Sequence, residues 1–377
     1  MSGAGGPAAP VRSVLIVRLS AVGDCVHALP AIAALRAARP DLRIGWAIDD
    51  RSAPLLAGLP EVDEFFVLPR RALAGKGLLA RCGAFLALRR KLRAAGFQAA
   101  ADLQGLAKSA LVTLASGAPL RIGLGRAAGA RELSWLACNC RPEVPAGARH
   151  VAERSAALLV PLGLPAGAAL PLPRLPVHAG AAARVAGLLA ELGLAARPFA
   201  VLNPGAGWET KRWPPGSFAD LAASLRQELG LEVLITWFGA GERELAGMIC
   251  SGGAARPAPE TTLPELVELL RRSALCVGSD SGPAHIAAAA GTPTVALFGP
   301  ADAVRNRPLG PAVEVLTAQA DCAPCWRRRG CPRGLECMLR ITPGGVLAAA
   351  RRLLGEQAHR PRAAEARPPA PAGRRQP

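Results

Sequence analysis

The chain has 377 residues, half of them hydrophobic, with a formal net charge of +17 and no tyrosine. That length exceeds one typical domain and predicts two, while the charge favours acidic partners: nucleic acid, an anionic membrane or phosphorylated substrates. No uninterrupted apolar run reaches the roughly 20 residues of a membrane-spanning helix, and the opening MSGAGGPAAP has neither the charged start nor the apolar core of a signal peptide. A cytoplasmic location is therefore expected, with the ten cysteines mostly reduced.

Residues 1–11 and the Pro/Arg-rich residues 356–377 read as disordered. Ser13 to Val17 (SVLIV) is a short apolar run suited to a buried strand. Gly23 relaxes the turn that follows, Asp24 stands at the start of a helix, and a helical pattern runs from Val26 to Ala38. The spaced glycines of a dinucleotide fingerprint are missing there. Taken alone, an aspartate in that place is most simply a helix N-cap. Strands are expected at Leu42–Ile48, Glu64–Leu68, Ala99–Leu103 and residues 120–124, with helices at Ser52–Leu59 and Leu78–Ala95 and another opening at Lys108-Ser109. Arg89, Arg90, Lys91 and Arg93 fall on the solvent side of the second of these helices.

Between Pro161 and Pro176 five prolines exclude regular structure and mark a linker. A helix at Ala179–Leu192 opens a second alternating set. Its strands are Phe199–Leu202, Val233–Trp237, Leu275–Val277, Thr294–Phe298 and Val313–Leu316, and a helix at Gly344–Leu354 closes it. Alternating strands and helices predict parallel sheets covered on both faces. The expected fold class is thus α/β, with two doubly wound, Rossmann-like domains at 12–176 and 177–355 and a ligand cleft between them at the carboxyl ends of the strands.

Three loops of the second half carry groups suited to a nucleotide diphosphate. In Val277–Pro300 a strand turns through Gly278-Ser279-Asp280-Ser281-Gly282 into a helix at Pro283, aiming free N–H groups and a positive helix end at one spot. Asn203-Pro204-Gly205-Ala206-Gly207-Trp208 leads to Lys211, a mobile cation. Trp237-Phe238-Gly239-Ala240-Gly241-Glu242 follows the next strand; Glu242 could accept from sugar hydroxyls or serve only the helix N-terminus. Each loop is a weak signal alone, and three in one half are more specific.

Four stretches, LIVRLSAVGDCVHALPAIAALRAARP (15–40), DLQGLAKSA (102–110), NPGAGWETKRWP (203–214) and VGSDSGPAHIAAAAGTPTVALFGP (277–300), together resemble the lipopolysaccharide core heptosyltransferases of glycosyltransferase family 9. The resemblance spans nearly the whole body of the chain. Its Gly23-Asp24-x-x-His27-x-x-Pro30 and Asp102-x-Gln104-Gly105-x-x-Lys108-Ser109 patterns are closer to enzymes adding the first heptose than the second.

That resemblance implies a GT-B fold and inverting transfer from an ADP-activated heptose to a Kdo–lipid A acceptor at the cytoplasmic face of the inner membrane. It implies no cofactor and no obligatory metal. Asp24 matches the family's catalytic base and Lys211 its diphosphate-contacting lysine. Asp280, Ser281, Gly282 and His285 match the donor-binding helix start, and Glu242 the acid proposed to bind the donor ribose. Ala206 and Gly207 stand where the heptosyltransferase I pattern has hydroxyl residues. That departure keeps open another nucleotide sugar on a different surface polysaccharide.

Cys322-x-x-Cys325, Cys331 and Cys337 permit a tetrathiolate zinc site without requiring one, so no metal is assigned. Nucleic-acid binding, which the charge alone would allow, lacks basic residues interleaved with aromatics. A catalytically dead module is disfavoured by the presence of both Asp24 and Lys211.

Overall fold

Every residue of the first strand, β1 (Ser13–Val17), is buried, as an apolar run at the centre of a doubly covered sheet must be. The computed structural model describes residues 11–71 and 73–358, so the disorder expected at the two ends falls largely outside the described residues. With β2 (Arg43–Asp49), β3 (Glu64–Leu68), β4 (Ala99–Asp102) and β5 (Leu120–Gly123), β1 forms a parallel sheet in the order β3-β2-β1-β4-β5. The connecting helices are α1 (Val22–Ala38), α2 (Ala53–Leu56), α3 (Leu78–Ala95) and α4 (Ala107–Ser116), and α5 (Val151–Leu159) follows the last strand.

The second sheet repeats the plan. Its strands are β6 (Phe199–Asn203), β7 (Glu232–Ile235), β8 (Arg256–Pro257), β9 (Leu275–Ser279), β10 (Thr294–Phe298) and β11 (Val313–Thr317), all parallel, in the order β11-β10-β9-β6-β7-β8. Around them lie α6 (Ala179–Glu191), α7 (Pro215–Leu229), α8 (Gly239–Cys250), α9 (Leu263–Arg272), α10 (Gly282–Ala289), α11 (Ala303–Asn306), α12 (Glu336–Leu339) and α13 (Pro343–Ala358). Among the described residues no helix is long and apolar enough to cross a membrane.

Both sheets carry the doubly wound order in which the winding direction reverses beside the first strand, at β1/β4 and at β6/β9. Ligands of such sheets bind in the crevice at the carboxyl ends of those strands. The register keeps the two rims level: Val17 is opposite Asp102, and Asn203 is opposite Gly278.

Helix α1 is buried along nearly its whole length, from Val22 and Gly23 to Leu35. Apolar residues on all of its sides mean that it is covered on all of them. It packs against α5 in its own half and against α10 of the other, and its apolar side chains join Leu266, Ile286 and Ala287 in one buried cluster. The two halves therefore meet along a packed seam that runs to the rim.

Several local expectations change: the helix expected at Ser52–Leu59 covers only Ala53–Leu56, and the strand expected at Val233–Trp237 is Glu232–Ile235. The first helix starts at Val22 rather than Val26, so Asp24 is its third residue and not a cap; the residue before the helix is Ala21, which has no capping side chain. The last helix runs from Pro343 to Ala358, past the expected end at Leu354 and three residues into the stretch expected to be disordered. Residues 163–178 carry neither helix nor strand, as their prolines dictate.

Candidate active site

Asp24 sits where α1 emerges at the rim. Its Oδ2 accepts from the Ala21 N–H (3.2 Å) and its Oδ1 pairs with Arg18 Nη2 (2.9 Å), while 46% of its side chain stays exposed. Arg18 itself is buried and donates Nη1 to the Leu103 carbonyl, but its Nε is buried with no partner among the described residues. A carboxylate that is oriented from two sides and still open to the cleft can take a proton from a bound hydroxyl.

The DLQG segment builds the other wall of that rim. Asp102 Oδ1 accepts from the N–H groups of Gln104 (2.8 Å) and Gly105 (2.9 Å), and Oδ2 accepts from Ser109 Oγ (2.9 Å). Burial, foremost, pushes the Asp102 carboxyl above the usual carboxylate range, against those three donors. Gln104 in turn accepts from the Leu19 N–H (3.0 Å), tying the loop after β4 to the loop that carries Asp24. Lys108 donates to Ser20 Oγ (2.5 Å) from the first turn of α4, and burial is the main cause of its lowered pKa.

On the second half, the predicted residues converge. Lys211 Nζ pairs with Asp280 Oδ2 at 2.5 Å, with side-chain exposures of only 13% and 6%. It also lies 4.2 Å from the centroid of the Trp208 ring. His285 Nε2 is 3.2 Å from Asp280 Oδ1. Burial raises the Asp280 carboxyl, but His285 and Lys211 outweigh it and hold the group below its ordinary value. The sequence reading treated Lys211 as a free cation; tertiary structure instead anchors it to Asp280. Ser281 stands at the N-cap of α10 without a side-chain cap bond, donating to Asn203 Oδ1 (3.3 Å), so the first-turn N–H groups of α10 are uncapped.

Glu242, in the first turn of α8, accepts from the Phe238 N–H (2.9 Å) and packs over Gly205, where any Cβ would collide with its carboxyl. Glycine is needed there for close approach, not for its φ. Burial, foremost, raises the pKa of Glu242, against the Phe238 N–H and the charges of Arg212 and Arg51. Arg51 and Arg71 of the first half lie over the Phe238 ring at 5.0 and 5.8 Å, so this end of the cleft is bridged by cations on an aromatic face.

At the seam, the turn of Asp24 meets the turn of Asp280. A Cβ on Gly23 would fall 2.5 Å from the His285 ring, and one on Gly282 would fall 3.6 Å from Val22. The N-terminal turns of α1 and α10 thus touch from opposite halves. His27 lies 4.3 Å from His285 and 5.1 Å from His150, ring to ring, with both of its nitrogens buried and unpartnered among the described residues.

Sequence reasoning missed Arg18, Lys108 and Arg305 as site residues. Lys108 stood in a quoted motif and could have been found; Arg305, on α11 of the second half, joins Arg18 in lining one cavity only through the fold. The cysteine-bearing segment, set apart from chemistry by sequence, packs on the donor loop: Thr210 Oγ1 donates to the Arg327 carbonyl (2.5 Å), and Trp326 stands edge-on to Trp208 at 6.1 Å. All ten cysteines are free, and among the described residues no group of three or more His, Cys, Asp or Glu side chains is placed to hold a metal.

Two doubly wound halves that meet along a seam are the architecture of the GT-B class of glycosyltransferases. The sequence profile of glycosyltransferase family 9 (heptosyltransferase) matches residues 85–334. Lipopolysaccharide heptosyltransferase 1 of Pseudomonas aeruginosa is 31% identical over 317 residues, covering 84% of this chain and 86% of that protein. Among solved structures, E. coli ADP-heptose lps heptosyltransferase II superposes with a TM-score of 0.72 at 27% identity, covering 92% and 99% of the two chains. E. coli heptosyltransferase WaaC with ADP superposes with a TM-score of 0.70 at 24% identity, over 90% and 99%. The chain belongs to glycosyltransferase family 9, the heptosyltransferases, and is a glycosyltransferase related to the lipopolysaccharide core enzymes.

Proposed function

We propose that the protein transfers a heptose, with inversion, from ADP-L-glycero-D-manno-heptose to the Kdo–lipid A inner core. The observation that carries this reading is the apposition of the Asp24 turn and the Asp280 turn across the seam. Asp24 takes the proton of the acceptor hydroxyl as the oxygen attacks the anomeric carbon. The bond to the diphosphate breaks on the opposite face of the sugar, and the charge that develops there is met by Lys211 and the uncapped N–H groups of α10. Lys211 carries three N–H donors, so it can keep Asp280 and reach a phosphate oxygen together. His285 holds Asp280 from the other side, and Glu242 accepts from the ribose hydroxyls beside Gly205. Domain roles follow: residues 12–176 take the acceptor and 177–355 the donor.

The relatives' names support the donor and the acceptor class: one structure carries ADP, and another is of an ADP-heptose enzyme. The positive charge suits a phosphorylated, acidic acceptor at the cytoplasmic face of the inner membrane. On α3, exposed Leu78, Leu79 and Leu86 lie on the same helix as the exposed Arg89, Arg90, Lys91 and Arg93, a composition suited to peripheral contact with an anionic bilayer. A second reading, another nucleotide sugar on a different surface polysaccharide, is favoured only by Ala206 and Gly207 in the donor loop. Thermal-shift titration with ADP-, UDP- and GDP-sugars, followed by a transfer assay on Kdo–lipid A, separates the two. Stabilisation by ADP-heptose together with heptosylated product supports the first; a preference for UDP- or GDP-sugars overturns it.

A further inference from the structure

The cysteine-bearing loop between β11 and α12, residues 318–335, lies at the same rim as the Asp280 turn. β10 runs beside β9 with Leu297 opposite Ser279, so Gly299-Pro300 leave β10 where Asp280 leaves β9. That pair holds the loop. A Cβ on Gly299 would fall 2.5 Å from Met338 Sδ and 2.9 Å from Cys337 Sγ. The Pro300 carbonyl accepts from the N–H groups of Cys325 (3.1 Å) and Trp326 (2.9 Å). The Arg327 carbonyl then accepts from Thr210, the residue before Lys211.

Trp326 is the residue of this loop that stability does not explain. Its φ of +55° is a left-handed conformation that costs a non-glycine residue free energy, and 39% of it stays exposed. The ring stands edge-on to Trp208 at 6.1 Å. Lys211 Nζ lies 4.2 Å and the Arg328 guanidinium 5.1 Å from the Trp208 ring centroid, and Arg305 lies 5.6 Å from that of Trp326. Lys211 is itself paired with Asp280, so the two tryptophans adjoin the cradle proposed for the diphosphate. On the other side, Arg305 lines one cavity with Arg18, the partner of Asp24. The aromatic corner therefore touches both the cradle of the leaving group and the surroundings of the base, and the transferred sugar must lie between those two.

We infer that Trp326, set against Trp208 and flanked by Arg328, is the platform for the transferred sugar ring of the donor. An aromatic side chain covers the C–H side of a pyranose, keeps water from it, and leaves the hydroxyls to neighbouring polar groups, as in small-molecule sites generally. The exposed Arg328 guanidinium supplies donors to those hydroxyls. Cys337 serves only to anchor the base of the loop beneath Gly299. The inference rests on the proposed transfer from a nucleotide sugar, and it adds which residues read the sugar rather than the nucleotide.

The test uses the full chain, with ADP and ADP-L-glycero-D-manno-heptose each titrated by calorimetry in the absence of acceptor. Wild type should bind the ADP-heptose more tightly than ADP. In Trp326→Ala that preference should fall about tenfold, as loss of one well-packed aromatic contact does. ADP affinity should stay unchanged, which shows that the variant is folded. Trp326→Phe should keep most of the preference, and Arg328→Gln should lower it. Equal losses for ADP and ADP-heptose would make the loop a brace for Lys211 and overturn the platform, as would an unaltered preference in Trp326→Ala. The identity of the sugar is scored separately, with UDP- and GDP-sugars titrated against UDP and GDP. If wild type prefers one of these and Trp326→Ala abolishes that preference, the platform stands and the heptose reading fails. If ADP-heptose is preferred and transferred while Trp326→Ala binds it like wild type, the heptose reading stands and the platform fails. A wild type that binds none of these nucleotide sugars more tightly than the bare nucleotide also overturns the platform.

Discussion

Replacing Asp24 with asparagine separates chemistry from architecture. The carboxylate holds the Ala21 N–H and Arg18 Nη2 through its two oxygens. An amide keeps one oxygen for either bond and the same shape, but it cannot take a proton. With half of the side chain in solvent, the weakened ion pair should cost about 1 kcal/mol. For a protein of this size that corresponds to a fall of only about 1–2 °C in melting temperature. Loss of a positioned base should slow transfer by roughly 10²–10⁴-fold, about 3–5 kcal/mol of barrier. The two numbers differ enough for the outcome to decide between roles. Donor affinity measured by calorimetry with ADP should match wild type, because Lys211 and the α10 turn are untouched. Single-turnover heptose transfer at saturating donor and acceptor should nearly vanish. A variant within tenfold of wild-type turnover, or one that unfolds while its folded fraction transfers normally, refutes the assignment and leaves Asp24 as a structural residue of α1.

Lys211→Ala removes the cation over the diphosphate and leaves Asp280 facing His285 alone; ADP affinity should fall at least tenfold, and wild-type affinity would remove Lys211 from the donor site. Gly23→Ala gains helix propensity of up to about 1 kcal/mol but drives a methyl into the His285 ring, which Asp280 holds in place. Overpacking of about 1–3 kcal/mol should win, so chemical denaturation should show a less stable protein with weakened ADP binding, and a more stable one would mean that the seam yields freely. Burial, foremost, holds His27 well below the ordinary histidine value, and it lowers His150 as well. Each binds a proton less readily in the folded than in the unfolded chain, so stability is full above about pH 6.5 and falls on acidification, by up to ~1.4 kcal/mol per pH unit for each group. Melting temperatures from pH 7.5 to 5 should show this fall, with a shallower slope in His27→Leu; an unchanged slope would mean that His27 does not contribute.

Much of the fold was legible along the chain. β1, β3, α3 and β10 have the bounds that apolar runs and their glycine or proline borders imply, because strand and helix periodicity is a property of neighbours in sequence. The donor-side turns were legible for the same reason: each is a short loop after a buried strand. Asp24 was found as a residue but misread in its local role, since its carboxylate serves the turn before the helix and Arg18 rather than capping from outside. What sequence could not decide is which of these turns meet. The Lys211–Asp280 pair joins residues 69 apart, and the contact of Gly23 with His285 and the cavity that Arg305 lines together with Arg18 join opposite halves of the chain. Those meetings depend on strand order at the two switch points and on α1 packing against α10. Packing is a property of surfaces brought together by the whole fold, and no local pattern carries it.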